Sequence, residues 1–361
     1  MSHRAAEAIE RQNFTVVQAL RGLAAMWVVL FHAREGGHLP TLYASLPSWF
    51  KTTVFDQGHN GVPIFFALSG FVIAHSVREL SPSVRNFGRF ALKRIIRLDP
   101  PYWASIVFVL AMGLLSSIVK HERMAWPSFG AISSHLFYLQ AFLNYPQINT
   151  VYWTLAYEVQ FYLFFVGLIT ATGLLYGEKT WAKEAAWWIM YGLAITALFV
   201  PRDKMMPGLF VNLWPAFFIG AVAYRAVEAK TRWIALLTLA GLMLAFGHEG
   251  IEFWIYSTIT ALLLFFFLKT GAIYTSLNWK WLQFLGAISY SLYLLHNPIT
   301  GAAGFVGHKF LGTGVIADIG VLIGIAIASV VGSTGFWWLI ERKAQAWSKH
   351  VRLKTASNPS I

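Results

Sequence analysis

Ten long apolar stretches alternate along the chain with short segments that hold most of the charged residues. The stretches cover residues 16–31, 62–77, 102–119, 152–176, 185–200, 209–224, 233–246, 251–268, 282–299 and 315–340. Most approach or exceed the roughly 18 to 20 residues that a helix needs to cross a bilayer. The pattern predicts an all-α, polytopic integral membrane protein with about ten transmembrane helices, the first of them retained rather than cleaved as a signal peptide.

Residues 129–143 are also apolar but short, and whether they cross the membrane sets the orientation of everything after them. If they do not cross, twenty lysines and arginines face the cytoplasm and seven face outward. If they do cross, eleven face inward and sixteen outward. Because cytoplasmic loops are enriched in lysine and arginine, we expect ten spans, both termini in the cytoplasm, and a re-entrant or interfacial segment near 129–143.

Composition narrows the class of protein further. Hydrophobic residues make up 57% of the chain and charged residues 12%, which excludes an ordinary soluble domain. The absence of cysteine excludes disulfides, thiolate catalysis and cysteine-based metal sites, and we expect no metal site. The net charge of +12 is spread over loops between spans, so we expect membrane lipids rather than nucleic acid as the partner. Residues 1–354 are predicted to form one membrane domain with its core at 14–340, and residues 355–361 a disordered tail.

The first apolar stretch contains two ionisable residues, Arg21 and His32. They are eleven residues apart, which on a helix corresponds to about 16 Å of rise and nearly the same face. Snorkelling of both side chains toward the two membrane surfaces is the structural alternative. A histidine aligned with an arginine on one interior stripe favours a functional role, and His32 is the natural proton acceptor at neutral pH.

The fourth stretch places Glu158 more than one turn inside the membrane, where a carboxylate requires a partner. It either pairs with Arg21 or another basic residue to lock helices together, or takes part in chemistry beside His32. Arg94 and Arg97 lie at i, i+3 spacing just before Pro100 and a predicted break between helices. Two neighbouring guanidinium groups suit a phosphate-bearing ligand, although binding of lipid headgroups explains much of the surrounding basic segment.

Two further groups of polar and small residues are candidates for a pocket or pathway. Ser69, Gly70 and Phe71 occur in the second stretch, where the Ser-Gly pair alone is more typical of helix packing. Tyr290 and His296 occur in the ninth stretch, with His296 predicted near the outer end of its helix. The layout of ten spans puts His32, Glu158 and His296 in the outer half and the arginine pair on the cytoplasmic side.

Five motifs occur in an order that resembles the membrane-bound acyltransferase 3 family, over roughly residues 14–340. They are Leu20-Arg21-Gly22-Leu23-Ala24 with His32; Gly61-Val62-Pro63 with Ser69-Gly70-Phe71; Arg94 and Arg97 with Pro101-Tyr102-Trp103; Trp153, Tyr157 and Glu158; and Ser289-Tyr290-Ser291 with His296. Two positions depart from the family pattern: Val159 stands where a second glutamate is frequent, and Asp99 where an apolar residue is common.

The resemblance implies an O-acyltransferase of the cell (inner) membrane that needs no permanently bound cofactor and uses acyl-CoA, most often acetyl-CoA, as donor. The acceptor would be a hydroxyl of a carbohydrate or lipid-linked glycan, reached with or without partners in glycan assembly. His32 and Glu158 would be catalytic, and Arg94 and Arg97 would bind the donor. The alternatives are a secondary transporter, which would show paired broken helices in two related halves, and a non-catalytic scaffold, which would not require Arg21 aligned with His32.

Overall fold

A computed structural model describes residues 14–177, 179–201, 204–228, 232–247 and 250–353 of the 361-residue chain. Throughout these residues the regular structure is helical and contains no β-strand. The main helices are α1 (Thr15–Glu35), α2 (Gly61–Val77), α3 (Val84–Lys120), α4 (Phe129–Leu136), α5 (Trp153–Tyr176), α6 (Thr180–Phe199), α7 (Trp214–Ala226), α8 (Arg232–Phe246), α9 (Ile251–Lys269), α10 (Lys280–Ala287), α11 (Ser289–Leu311), α12 (Val315–Phe336) and α13 (Arg342–Ser348). The predicted tail at 355–361 lies outside the described residues.

Six of the described helices are long and apolar enough to cross a membrane, which agrees with a multi-pass membrane protein. They are Thr15–Glu35, Ser48–Val77, Val84–Lys120, Trp153–Tyr176, Ile251–Lys269 and Val315–Ser348. The second of these spans includes the short helical turns that precede α2, and the last includes the π-helical turn and α13 that follow α12. The layout of ten spans, with its two cytoplasmic termini, stays a prediction.

Helix α7 forms the centre of the bundle, and glycines allow it to pack closely against α2. Eleven of its thirteen residues are buried. A Cβ atom on Gly70 would collide with the carbonyl oxygen of Phe217, and one on Gly220 would collide with the carbonyl oxygen of Ala67. Small residues at both positions let the two backbones touch, as is usual between helices in lipid.

The predicted break before the third span is wrong, because α3 runs without interruption through Pro100 and Pro101. Ser83 begins the helix by accepting a hydrogen bond from the amide of Asn86. With 37 residues the helix is about 55 Å long, well beyond the roughly 30 Å of a hydrocarbon core. Membrane helices tolerate proline where neighbours supply donors, and the Tyr290 hydroxyl donates to the Leu98 carbonyl beside the prolines.

The predicted ninth span, residues 282–299, forms parts of two helices in the structure rather than one. Helix α10 ends at Ala287, and α11 begins at Ser289 and continues through Pro298 to Leu311. Proline at 298 removes the amide that would bond to the Leu294 carbonyl. The side-chain amide of Asn149 donates to that carbonyl instead, at 3.2 Å, so the helix continues. His296 therefore lies within α11 rather than near its end.

The segment near 129–143 contains only α4, whose eight residues are too short to cross a bilayer. Irregular turns follow α4, with positive φ at Tyr138 and Asn144. His135 is buried and ties the segment together: its Nδ1 lies 2.7 Å from the Ala131 carbonyl, and its Nε2 accepts the Ile148 amide. These contacts satisfy part of the non-helical backbone, while Phe137, Leu139 and Leu143 are exposed, and the re-entrant or interfacial placement stays a prediction.

Candidate active site

A small polar cavity lies among α1, α2, α5 and α11, with a volume of about 40 Å³. Four of the residues singled out in the sequence line it, each from a different helix: Arg21, Ser69, Glu158 and Tyr290. Four apolar runs therefore each contribute at least one polar side chain to the same space. The motifs that are distant in sequence are adjacent in the fold.

Glu158 is held by two hydroxyl groups on the wall of this cavity. The Ser69 hydroxyl donates to Glu158 Oε1 at 2.7 Å, and the Tyr162 hydroxyl donates to the same oxygen. The guanidinium carbon of Arg94 lies 4.3 Å from the centre of the Tyr162 ring, a cation–π contact. Tyr162 therefore contacts both Glu158 and Arg94 and links the carboxylate to the guanidinium.

Arg97 lies in a second part of the same charged region. Its charged neighbours are Arg94, Arg21 and Glu341. Arg21 also donates to the Ser289 hydroxyl at 3.3 Å. Glu341 ends the π-helical turn Trp337–Glu341 after α12, is 3% exposed, and accepts the Ser291 amide and hydroxyl. We call Arg21, Arg94, Arg97, Glu158 and Glu341, with Ser69 and Tyr162, the arginine cluster.

Two histidines face each other on α1 and α11. The ring centres of His32 and His296 are 5.0 Å apart. His32 Nδ1 lies 2.8 Å from a carboxylate oxygen of Glu35, one turn later on the same helix, and the His32 side chain is 14% exposed. His296 is fully buried, its Nδ1 lies 2.8 Å from the Tyr293 carbonyl, and its Nε2 contacts no hydrogen-bonding group of the described residues. We call His32 and His296 the histidine pair, and Glu35 is the carboxylate partner of His32.

Tyr293 connects the two regions. It lines the polar cavity, its hydroxyl lies 2.9 Å from that of Thr154, and its ring centre is 5.9 Å from that of His296. Along α1 the distance from Arg21 to His32 corresponds to about 16 Å. A column of polar groups therefore runs along α11, from Ser289 through Tyr293 to His296, and joins the arginine cluster to the histidine pair beside α1.

Four of the sequence candidates pack in the apolar core beside the cavity. Gly70 lies at the contact between α2 and α7 described above. Phe71 is fully buried, with its ring edge-on to Tyr224. Trp153 stands edge-on to Tyr157 and Phe66. These residues shape the walls behind Ser69 and Glu158.

The structure corrects the expected separation of the carboxylate from the basic residues. Arg94 contacts the ring of Tyr162, whose hydroxyl donates to Glu158. The arginine therefore lies beside the carboxylate, which was expected in the opposite half of the membrane. The carboxylate in contact with His32 is Glu35, whereas Glu158 contacts Ser69 and Tyr162.

Sequence reasoning missed three functional candidates: Glu35, Tyr162 and Glu341. Each had a signal. Glu35 follows His32 by three residues and Tyr162 follows Glu158 by four, both spacings that bring side chains together on a helix. Glu341 follows the last apolar stretch directly, where a carboxylate must find partners in the protein.

The all-helical bundle, its six helices long enough to cross a membrane and the ionisable residues inside it are typical of a multi-pass membrane protein with an internal functional site. Comparison with known sequences then assigns the family. Residues 15–341 match the acyltransferase domain of the acyltransferase 3 family, and the chain belongs to that family. It is a membrane acyltransferase that transfers groups other than amino-acyl groups.

Several curated proteins are similar to the chain at low identity. One, provisionally named acetyltransferase ORF330, from Acidianus two-tailed virus, is 23% identical over 86% of this chain and 87% of its own length. A provisionally named membrane-bound transacylase, BcsY, from Komagataeibacter xylinus is 26% identical over 78% of this chain and 72% of its own. A provisionally named O-acetyltransferase of Staphylococcus aureus is 25% identical over 78% of this chain, which spans 50% of that longer protein. No solved structure matches the chain.

Proposed function

We propose that this protein is an O-acyltransferase, most simply an O-acetyltransferase, which transfers an acyl group from acyl-CoA to a hydroxyl of a carbohydrate or lipid-linked glycan. The single observation that carries the proposal is the polar column, in which a cationic cluster and a histidine with a carboxylate partner are joined by Tyr293. Similarity to relatives named as acetyltransferases and a transacylase supports the same reaction.

The arginine cluster is proposed to hold the donor. Arg94 and Arg97 are one turn apart on α3, and Arg21 brings a third guanidinium from α1. With Glu158 and Glu341 the five charged groups keep a net positive charge, which favours the phosphates of coenzyme A. Guanidinium groups bind phosphate through paired charge-assisted hydrogen bonds. Glu158 would position Arg94 through Tyr162, and the pantetheine arm would extend along the column past Tyr293 toward His32.

His32 is proposed as the general base. Its Nδ1 lies against Glu35, which orients the ring and leaves Nε2 as the proton acceptor. The acceptor hydroxyl oxygen attacks the thioester carbonyl carbon as its proton moves to His32 Nε2. The carbon–sulfur bond then breaks, and the departing thiolate takes up that proton, which leaves an ester and free coenzyme A. His296, buried beside His32, would hold the His32 ring in place.

The test uses the full-length protein in liposomes with radiolabelled acetyl-CoA and glycolipid acceptors supplied in turn. Wild-type protein should transfer label to an acceptor and release coenzyme A. His32→Ala should lower the transfer rate by roughly 10² to 10⁴, the usual contribution of a general base. His350→Ala, at the exposed end of the described chain, is the matched control and should keep full activity. A correctly inserted His32→Ala protein with wild-type activity would overturn the assignment of the base. Wild-type protein that binds no acetyl-CoA would overturn the assignment of acyl-CoA as the donor.

A further inference from the structure

A second charged region lies where the ends of α2, α6, α7 and α8 meet, away from the residues assigned to acyl transfer. It surrounds a cavity of about 220 Å³ whose lining includes Arg78, Lys183, Arg225 and Arg232, together with Glu184 and Glu228. Glu184 receives hydrogen bonds from both Arg225 and Arg232. Arg78 also pairs with Glu79, at 3.1 Å, so the four cations outnumber the three carboxylates of this region by one, and the cavity favours an anion.

A larger, mainly apolar cavity of about 410 Å³ adjoins the first. The two share a wall of Glu184, Trp187, Arg225 and Arg232. The guanidinium of Arg225 lies 4.4 Å from the centre of the Trp187 ring, which fixes this wall. Beyond it the lining is Trp188, Tyr191, Phe218, Val222 and Ala235. A site with a cationic end and an apolar extension fits an amphiphile, not a free anion.

We propose that these joined cavities bind one anionic phospholipid, with its phosphate at the end near Lys183 and an acyl chain along Trp188 and Tyr191. Trp188 is 66% exposed on the outside of the bundle, where lipid chains reach it directly. Tryptophan and tyrosine at the level of lipid headgroups, beside basic residues, are typical of such contacts. The lipid would hold α6, α7 and α8 together at this membrane surface.

The test compares matched pairs of variants on α6 in delipidated full-length protein, titrated with dioleoyl phosphatidylglycerol and followed by native mass spectrometry. Lys183→Gln should weaken binding by about five-fold, the effect of one basic residue near a lipid surface. Trp188→Ala should also weaken binding, because the acyl chain loses its contact with the indole ring. Lys179→Gln and Trp181→Ala make the same chemical changes at exposed positions that do not line the cavities, and they should bind as wild type does. Thermal melting of each variant shows whether it is folded.

Three results would overturn the proposal. Equal losses within each matched pair would mean that lipid binds the surface without a defined site. Dioleoyl phosphatidylcholine binding as tightly as phosphatidylglycerol would remove the role of the cations. Displacement of the lipid by inorganic phosphate or coenzyme A at the same concentration would mean that the cavity takes a soluble phosphate.

Discussion

The arginine cluster and the histidine pair are two polar sites in one apolar bundle, and they are built in opposite ways. The cluster collects side chains from α1, α2, α3, α5 and the turn after α12, and its two carboxylates each accept several hydrogen bonds. The histidine pair needs only α1 and α11, and within the described residues the His296 Nε2 atom stays without a partner. Charges buried in an apolar bundle require neutralising neighbours, whereas a neutral imidazole does not.

This difference suggests a division of labour between the two sites. A cluster with excess positive charge is suited to hold an anionic donor. A histidine with one nitrogen on a carboxylate and the other open is suited to move a proton. Changes in the cluster should therefore alter donor affinity, and changes around His32 should alter the rate of transfer at unchanged donor affinity.

Among the variants that test the cluster and the residues around His32, the largest effect on donor affinity is expected at Arg97. Arg97→Ala should raise the Kd for coenzyme A roughly 10- to 100-fold, because hydrogen bonds to charged groups are each worth about 1.5 to 3 kcal/mol. Arg97→Lys should lie between alanine and wild type, since lysine keeps the charge but not the paired geometry. Isothermal titration calorimetry in detergent measures both constants.

Arg85→Ala is the control for Arg97. Arg85 lies on the same helix but is exposed near its start, and the substitution should leave donor affinity unchanged. If both alanine variants weakened binding equally, the effect would be one of overall charge, and the cluster would lose its proposed role.

An intermediate effect is expected at Glu35 and Glu158. Comparing variants of the two shows which carboxylate supports His32. Glu35→Gln should reduce kcat about tenfold, the equivalent of roughly 1.4 kcal/mol for one lost charge-assisted hydrogen bond, with donor affinity unchanged. Glu158→Gln should change donor affinity instead, because Glu158 contacts Tyr162 beneath Arg94. Steady-state kinetics with separate donor titration distinguishes the two, and the opposite pattern would return the supporting role to Glu158.

The smallest effect on activity is expected at Asp318, which anchors the segment between α1 and α2. Its carboxylate accepts the amides of Thr41 and Leu42, both at 2.7 Å, and it is fully buried. Asp318→Ala should lower the free energy of unfolding by about 3 kcal/mol, because the buried Leu42 amide and the part-buried Thr41 amide lose a charged acceptor. Acyl transfer below the melting temperature should change less than about twofold, since neither proposed site loses a group.

Thermal melting of Asp318→Ala beside Ile316→Ala checks this prediction. Ile316 lies on the same helix and is 86% exposed, so its truncation should leave the melting temperature unchanged. An Asp318→Ala protein that melts as wild type does, or that loses its activity while folded, would contradict the structural role.

Much of the site could be predicted from the sequence because charged residues within apolar runs are conspicuous. Arg21, Ser69, Glu158 and Tyr290 were all singled out, and all four line one cavity. The spacing of Arg21 and His32 on one helix also predicted a polar stripe along α1. The prediction that Arg94 and Glu158 lie in opposite halves of the membrane was wrong. The proline pair had suggested a helix end that α3 does not have.

The sequence by itself determined the helical class, the multi-pass membrane character and the family of this protein, because apolar run length, charge and local motifs depend only on neighbouring residues. The tertiary structure alone decided which carboxylate meets which base. Glu35 reaches His32 through the helix they share, but Glu158 could have met any cation in the bundle. It contacts Tyr162 and lies in the surroundings of Arg94 because α3 packs against α5 and α11, where the Tyr290 hydroxyl donates to the Leu98 carbonyl. Such contacts between distant segments leave no trace in local sequence.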